Sequence, residues 1–498
     1  MEQTTNNLPP EILETIFEYL PAAQLLRVRL VCRYWRDIVI GDSKLMGKLT
    51  LKFPQNITIN KRYMPKNLPV AVTKVSFESV NIVGIPTWWS SFALNLTHLK
   101  IQFSETSLPT LLEMLRSTPN LKRLKLFCVK LTKLTDEPPN FLLNKLENLN
   151  LNSICETKIL RLFGPMCPNL KDLYLFMRAE NPNHDERCVI QFVQTVEKTL
   201  ESLELYTTKN FLAELSTFKE LKLKRLVYNW VEEPEEELVQ FCHTQPLIEK
   251  LVTAQSCLSN SALTDIGRSL PNLKHLSTKF KPDFSKHATF INAMPNLEHL
   301  SLINNYSEVN FGGCQSPNLK HLYLGYMRPT RNSLRQYLNA CPNLNSLEMD
   351  RCTFTSWDEV FIPAGSLKFL QTLELGTLDL ANVTDAAFGK MPNLRRLRLI
   401  GFKMANPVMA ALFRACDQLR LEELNGWKLD EEEALKFALQ EDREWRTMTL
   451  GVPRVCGVEK IVEDCGMGSQ EACGTSREEG GLGIFDRVKG FFGKMFDN

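Results

Sequence analysis

Leucine and its apolar relatives recur along this chain at a fixed spacing. A run of the form L-x-x-L-x-(apolar or Thr) begins at Leu96, Leu121, Leu146, Leu170, Leu200, Leu223, Ile248, Leu273, Leu297, Leu319, Leu344, Leu370 and Leu394. Successive starts lie 25, 25, 24, 30, 23, 25, 25, 24, 22, 25, 26 and 24 residues apart. Pro-Asn-Leu opens seven of the runs, with its proline at 119, 168, 271, 295, 317, 342 and 392. Weaker versions occur near Val72, Leu421 and Trp445. The last two apolar residues of each run share one face of a strand. The stretches before the runs, such as 108–118 and 332–340, carry apolar residues at three- and four-residue steps and predict helices. The proline that follows stops each helix.

A period of roughly 20–29 residues with this signature resembles leucine-rich repeats. The implied fold is α/β, a solenoid with parallel strands on the concave side and helices on the convex side. No single unit can bury its leucines, so the array depends on its neighbours. The third, fifth and seventh positions of each run point away from that core. Four of the seven histidines, His98, His275, His299 and His321, occupy the third position, the last three in consecutive repeats. Strands about 4.8 Å apart would turn these three into a ladder. His275, His299, His321, Tyr323 and Lys279 are therefore the candidate target-binding residues. Two readings stay open: a polar ladder inherited from repeat duplication, or a contact patch whose charge responds near pH 6–7.

Before the repeats, residues 7–40 hold a different pattern. Ile12, Leu13, Ile16, Phe17 and Leu20 have helical spacing up to Pro21. Leu25, Leu26, Val28 and Leu30 suggest a second helix, and Val31, Tyr34, Trp35 and Ile38 a third. Three short helices with apolar residues on more than one face predict an interaction module that buries some of them against a partner. The order Leu8, Pro9, Glu11, Ile12, Ile16, Phe17, Leu20, Leu25, Leu26, Val31, Cys32, Trp35 resembles the F-box. That resemblance implies binding to a Skp-type adaptor, and through it to a cullin scaffold and a RING subunit. It places the adaptor contacts at Leu8, Pro9, Ile12, Leu13, Phe17, Leu25, Val28 and Val31. Trp35 is either part of that surface or a support for the third helix.

Composition narrows the functional classes. The chain has 498 residues, 44% hydrophobic and 23% charged, with a net charge of +2 from 59 basic and 57 acidic residues. Such balance gives no electrostatic footprint for nucleic acid, and neither nucleic acid nor a membrane is an expected partner. Fourteen scattered cysteines within leucine-rich runs read as small buried hydrophobes of a reducing compartment, cytoplasmic or nuclear. Cys456, Cys465 and Cys473 lack zinc-like spacing, and no metal or cofactor is expected. No nucleophile elbow, phosphate loop or HExxH helix appears, so catalytic residues are not expected either.

The expected plan is an F-box over 1–45, then a linker leading into the solenoid over 46–70. About 13–16 repeats follow over 71–455. A Gly-, Ser- and Glu-rich linker spans 456–481, and an amphipathic helix spans 482–498. Trp88 and Trp89 read as packing beneath a helix, and the acidic run 232–237 as a solvated helix start. The expected role is non-catalytic: recognition of an unidentified protein substrate for an SCF-type ubiquitin ligase. The alternative is a repeat scaffold or inhibitor whose N-terminal helices only cap the array.

Overall fold

The computed structural model describes residues 8–65, 72–134, 139–152, 158–176, 187–206, 211–229, 235–282, 286–354, 358–376 and 390–400. It adds the backbone of 420–425 and 450–451. Trp445, the three late cysteines, the expected linker 456–481 and the expected helix 482–498 lie outside the described residues.

Four helices open the described chain: α1 (Pro10–Glu18), α2 (Ala22–Val28), α3 (Arg33–Gly41) and α4 (Ser43–Lys48). Proline occupies the first position of α1, where its missing N–H costs nothing. Asp42 caps α4, its carboxylate accepting from the N–H groups of Lys44 at 2.6 Å and Leu45 at 3.2 Å. This fourth helix straddles residue 45, where the sequence suggests that the F-box gives way to a linker. Only Leu49 separates it from the first strand of the sheet, Thr50–Lys52.

From there the main strand of each repeat joins a parallel sheet, 17-stranded among the described residues, in which it pairs with the main strand of the next repeat. Short strands such as Asn81–Ile82 and Glu105–Ser107 pair in smaller parallel sheets beside it. The repeat motif explains the pairing. In the strand Arg123–Phe127, Leu124 and Leu126 are fully buried while Arg123 and Lys125 are exposed. Register sets Leu124 against Leu99 and Leu149, so the leucines of successive repeats stack into one core. Helices such as Leu108–Arg116 close that core from the other side through Leu111, Leu112 and Leu115. Trp89 is fully buried and donates its indole N–H to the Met114 carbonyl at 3.1 Å. Trp88 packs beside it and donates to the Tyr63 carbonyl at 2.8 Å. At 250–278 two threonines replace leucines in the core and bond each other, Thr253 to Thr278 at 2.9 Å. Glu235, Glu236 and Glu237 form the first turn of the helix Glu235–Thr244, where carboxylates suit the helix dipole.

The asparagine of Pro-Asn-Leu has a specific task. Its amide donates to a main-chain carbonyl one repeat earlier: Asn296 to Pro271 at 2.9 Å, Asn318 to Pro295 at 3.0 Å, Asn343 to Pro317 at 2.8 Å. Directly after the first apolar residue of eight consecutive runs, Glu147, Lys171, Glu201, Lys224, Glu249, Lys274, Glu298 and Lys320 alternate in sign from repeat to repeat. Ion pairs link them at 3.3 Å (Lys171–Glu147), 2.7 Å (Lys224–Glu201), 2.8 Å (Lys274–Glu249) and 2.7 Å (Lys320–Glu298).

Several strands gain one further ladder bond by an unusual route. Phe103, Cys128, Tyr326 and Arg351 follow strand ends with φ near +50°. Their N–H groups donate to the last carbonyl of the next strand, at 2.9 Å in each case. Left-handed backbone costs a non-glycine residue roughly 1–2 kcal/mol, and the extra bond offsets part of it.

Among the described residues, no helix is long and apolar enough to cross a membrane.

The helix layer is as tightly specified as the sheet. A Cβ at Gly267, in the helix Asn260–Ser269, would meet Ala293 Cβ and Met294 Cγ of the next repeat at 2.9 Å. Alanine ordinarily favours a helix over glycine. Gly267→Ala is nevertheless expected to lower stability by about 1–3 kcal/mol through overpacking, read as a lower urea midpoint. An unchanged or higher midpoint would mean the two units slide apart freely.

Candidate functional site

Two surfaces stand out, one on the N-terminal helices and one on the open face of the sheet.

The structure divides the sequence-derived adaptor set. Leu13, Phe17 and Leu25 are 4%, 2% and 0% exposed and belong to the chain's own core. Phe17 meets the Trp35 ring edge-on at 5.3 Å, so Trp35 supports α3 against α1. Val28 is half-buried against the same core. Leu8, Pro9, Ile12 and Val31 stay in solvent. Other apolar side chains share their exposure: Ile16 at 44%, Tyr19 at 85%, Leu26 at 50% and Leu30 at 85%. The sequence pattern included Ile16 and Leu26 but did not separate the outward face of α1 from the inward one. Leu30 stood in the apolar set of the second helix without being marked as a contact, and Tyr19, just after α1, carried no periodic signal.

The module is welded to the repeats. Its core continues through Ile38, Val39, Leu45, Met46 and Leu49 to Phe53 within one hydrophobic cluster. Lys48 donates to the Glu18 carbonyl and, at 3.2 Å, to that of Leu20, tying α4 to the end of α1. Lys44 adds an ion pair with Glu18 at 3.2 Å.

On the sheet face the histidine ladder is present. His275, His299 and His321 are in direct register, their rings stacked at centroid distances of 5.2 Å and 4.3 Å. Their chemistry differs from the pH 6–7 response suggested above. Burial, reinforced by Lys250, holds His275 down at about 3. Burial and His321 hold His299 at about 4, and His321 is lowered mainly by burial. Partial burial, reinforced by Arg123, holds His98 at about 4. His275 and His299 are therefore neutral throughout the physiological range, and His321 is shifted the same way, because a stacked ladder excludes the water that would stabilise the imidazolium.

Around the ladder the face changes character. Toward the N-terminus, Tyr206 packs on Tyr174 and Phe176 at 5.5 Å and donates to Glu204 at 3.0 Å. Glu204 also holds Arg225 at 2.8 Å. Toward the C-terminus, Tyr323 is in register with Glu348, and Glu348 with Glu374. Burial and the Glu374 charge push Glu348 up to about 7. Lys279 is half-buried, two residues beyond Ser277 on the same strand. Tyr323 lies over Gly325, where a Cβ would come within 3.0 Å of its hydroxyl. Burial pushes the thiols of Cys167, Cys314 and Cys341 up to about 12, which makes them poor nucleophiles. Among the described residues no cluster of three or more His, Cys, Asp or Glu could hold a metal ion.

These shifts predict opposing pH effects on stability. His275 and His299 titrate in the folded chain below the ordinary value of 6.5. Their contribution is complete above 6.5 and is lost as pH falls toward 3–4. The loss is at most about 1.4 kcal/mol per pH unit for each group, and less where water screens it. Glu348 is raised above 4.5, so its protonation adds stability as pH falls from above 7 toward 4.5. Between about pH 7 and about pH 5, the urea midpoint of the wild type should fall further than that of His275→Asn/His299→Asn/His321→Asn. It should fall less than that of Glu348→Gln.

Residues 5–52 match the F-box-like family. F-box/LRR-repeat protein 23 of Arabidopsis thaliana is 32% identical over 109 residues, 22% of this chain and 21% of that relative. The chain therefore spans about a fifth of the length of that curated relative. A TLR13–ssRNA13 complex aligns with 77% of this chain and 50% of its own, at 16% identity and a TM-score of 0.47. An LRR protein of Leptospira interrogans aligns with 76% of this chain and 91% of its own, at 20% identity and a TM-score of 0.45. With the N-terminal match set beside the 17-stranded parallel ladder, the chain joins an F-box-like module to a leucine-rich-repeat solenoid, the pairing found in F-box/LRR proteins.

Proposed function

We propose that this chain is the substrate-recognition subunit of an SCF-type E3 ubiquitin ligase. The observation that carries the reading is the solvent-facing apolar surface of the F-box-like module. Leu8, Ile12, Ile16, Tyr19, Leu26, Leu30 and Val31 are between 44% and 85% exposed within two dozen residues. Single exposed leucines are ordinary, but a group of this density marks a protein interface. In this reading the exposed group, with Pro9, meets the Skp-type adaptor, which brings the cullin and RING subunits. Leu13, Phe17 and Leu25 keep the helices in the geometry that presents it.

The target protein binds on the sheet face, where His275, His299, His321, Tyr323 and Lys279 offer neutral rings beside a cation. The subunit contributes no catalytic residue. It acts by holding target lysines close to a ubiquitin-charged enzyme, which raises their effective concentration. A continuous core between module and repeats serves that purpose, because a slack joint would dilute the target over a larger volume.

Ile12→Asp with Val31→Asp should abolish co-purification with the adaptor, weakening it about tenfold or more. The thermal midpoint should be unchanged, since both side chains are exposed. Phe17→Asp should instead lower that midpoint by placing a charge in the core. Adaptor binding that survives the double substitution would favour the scaffold reading, in which the helices only cap the array.

A further inference from the structure

Three hydrogen-bonding atoms on neighbouring rungs of the sheet have no partner: the hydroxyls of Ser277 and Ser301, and Nε2 of His275. All three atoms are closed off from solvent. Ser277 and Ser301 stand side by side in the parallel register, and His275 lies two residues before Ser277 on the same face. Neighbouring strands are about 4.8 Å apart, so both hydroxyls are within reach of one small group. Nowhere else on the sheet face, among the described residues, do three such atoms gather. Native proteins rarely leave a buried hydroxyl unpaired, and a pair of them points to a bound group that satisfies both.

The surroundings say what kind of group. Ser277 and Ser301 are small side chains set between the larger Val252 and Tyr323 in the adjoining strands. From the rung of Lys250 to that of His321, the outward positions carry Lys250 and Lys279 and no carboxylate, while Arg225, one rung earlier, is paired with Glu204. Acidic side chains resume only at Glu348. A hydroxyl can donate, and cations close the local balance of charge, so the complementary group is an acceptor bearing negative charge.

We propose that Ser277 and Ser301 form the floor of a seat for a small oxyanion, a carboxylate or a phosphate group, with His275 and Lys279 at its ends. One oxygen accepts from each hydroxyl, and the ammonium of Lys279 balances the charge. Access requires the half-buried side chains around the seat, His299 and Lys279 among them, to turn aside. The ligase role is not a premise, since the test uses the full-length protein alone. Its failure would leave adaptor binding untouched.

The test follows thermal unfolding of the wild type and of Ser277→Ala/Ser301→Ala. Each is measured in chloride, in inorganic phosphate at equal ionic strength, and with a hexaglutamate peptide. A ligand that binds only the folded chain raises its midpoint in proportion to the logarithm of concentration. Phosphate also stabilises proteins non-specifically, and the double variant measures that background. The wild type should gain more than the variant from phosphate, from the peptide, or from both. Gain with phosphate alone identifies a free anion as the ligand, and gain with the peptide identifies the side-chain carboxylates of a protein. In chloride the variant should be at least as stable as the wild type, because it removes two unpaired hydroxyls. Equal gains in the two proteins would overturn the proposal. A variant less stable in chloride would do the same, by showing that the hydroxyls already have partners.

Discussion

Every repeat of this protein has to stack its leucines on those of the next, in register, before any of its strands is stable. A strand such as Arg123–Phe127 has only Leu124 and Leu126 to bury, and it buries them between Leu99 and Leu149. A slip of one residue would turn both outward and bring Arg123 and Lys125 into the core. The remaining features act as guards on that register. The Pro-Asn-Leu amides tie each turn to the one before it, the left-handed residues add a bond at the far end of the strand, and Gly267 lets the helices close to the same spacing.

The same constraint explains the joint at the N-terminus. Helix α4 runs into Thr50–Lys52 with one residue between them, and that strand pairs with Lys74–Glu78 like any other rung. The F-box-like helices therefore share the solenoid's core instead of hanging from a tether. Their surplus apolar residues stay exposed outside that core.

Much of this was legible in the sequence because a period repeated thirteen times leaves little freedom. Strand positions, inward leucines and the histidine ladder all follow from spacing alone. Other features left no such trace. The outward face of α1 could not be told from the inward one, because Ile12, Leu13, Ile16 and Phe17 are all apolar and only three-dimensional packing separates them. The left-handed turns were hidden because phenylalanine, cysteine, tyrosine and arginine occupy positions where glycine would have announced them. The neutral state of the histidines was also out of reach, since it depends on how closely three rings stack. Alternation of sign directly after the first apolar residue of eight consecutive runs was visible in the letters. It acquires meaning only once the strands are known to be neighbours.

That alternation has a consequence for how such a chain can change length. Solenoids grow and shrink by whole repeats, and a purely apolar stack would accept the loss of any one. Here, removing a single unit between Glu147 and Lys320 would bring two lysines or two glutamates onto adjoining rungs. Removing two consecutive units restores opposite signs. The ladder works as a parity check: length variants of this protein that keep the array well ordered should differ by even numbers of repeats in this segment, and odd ones should need a compensating change of charge.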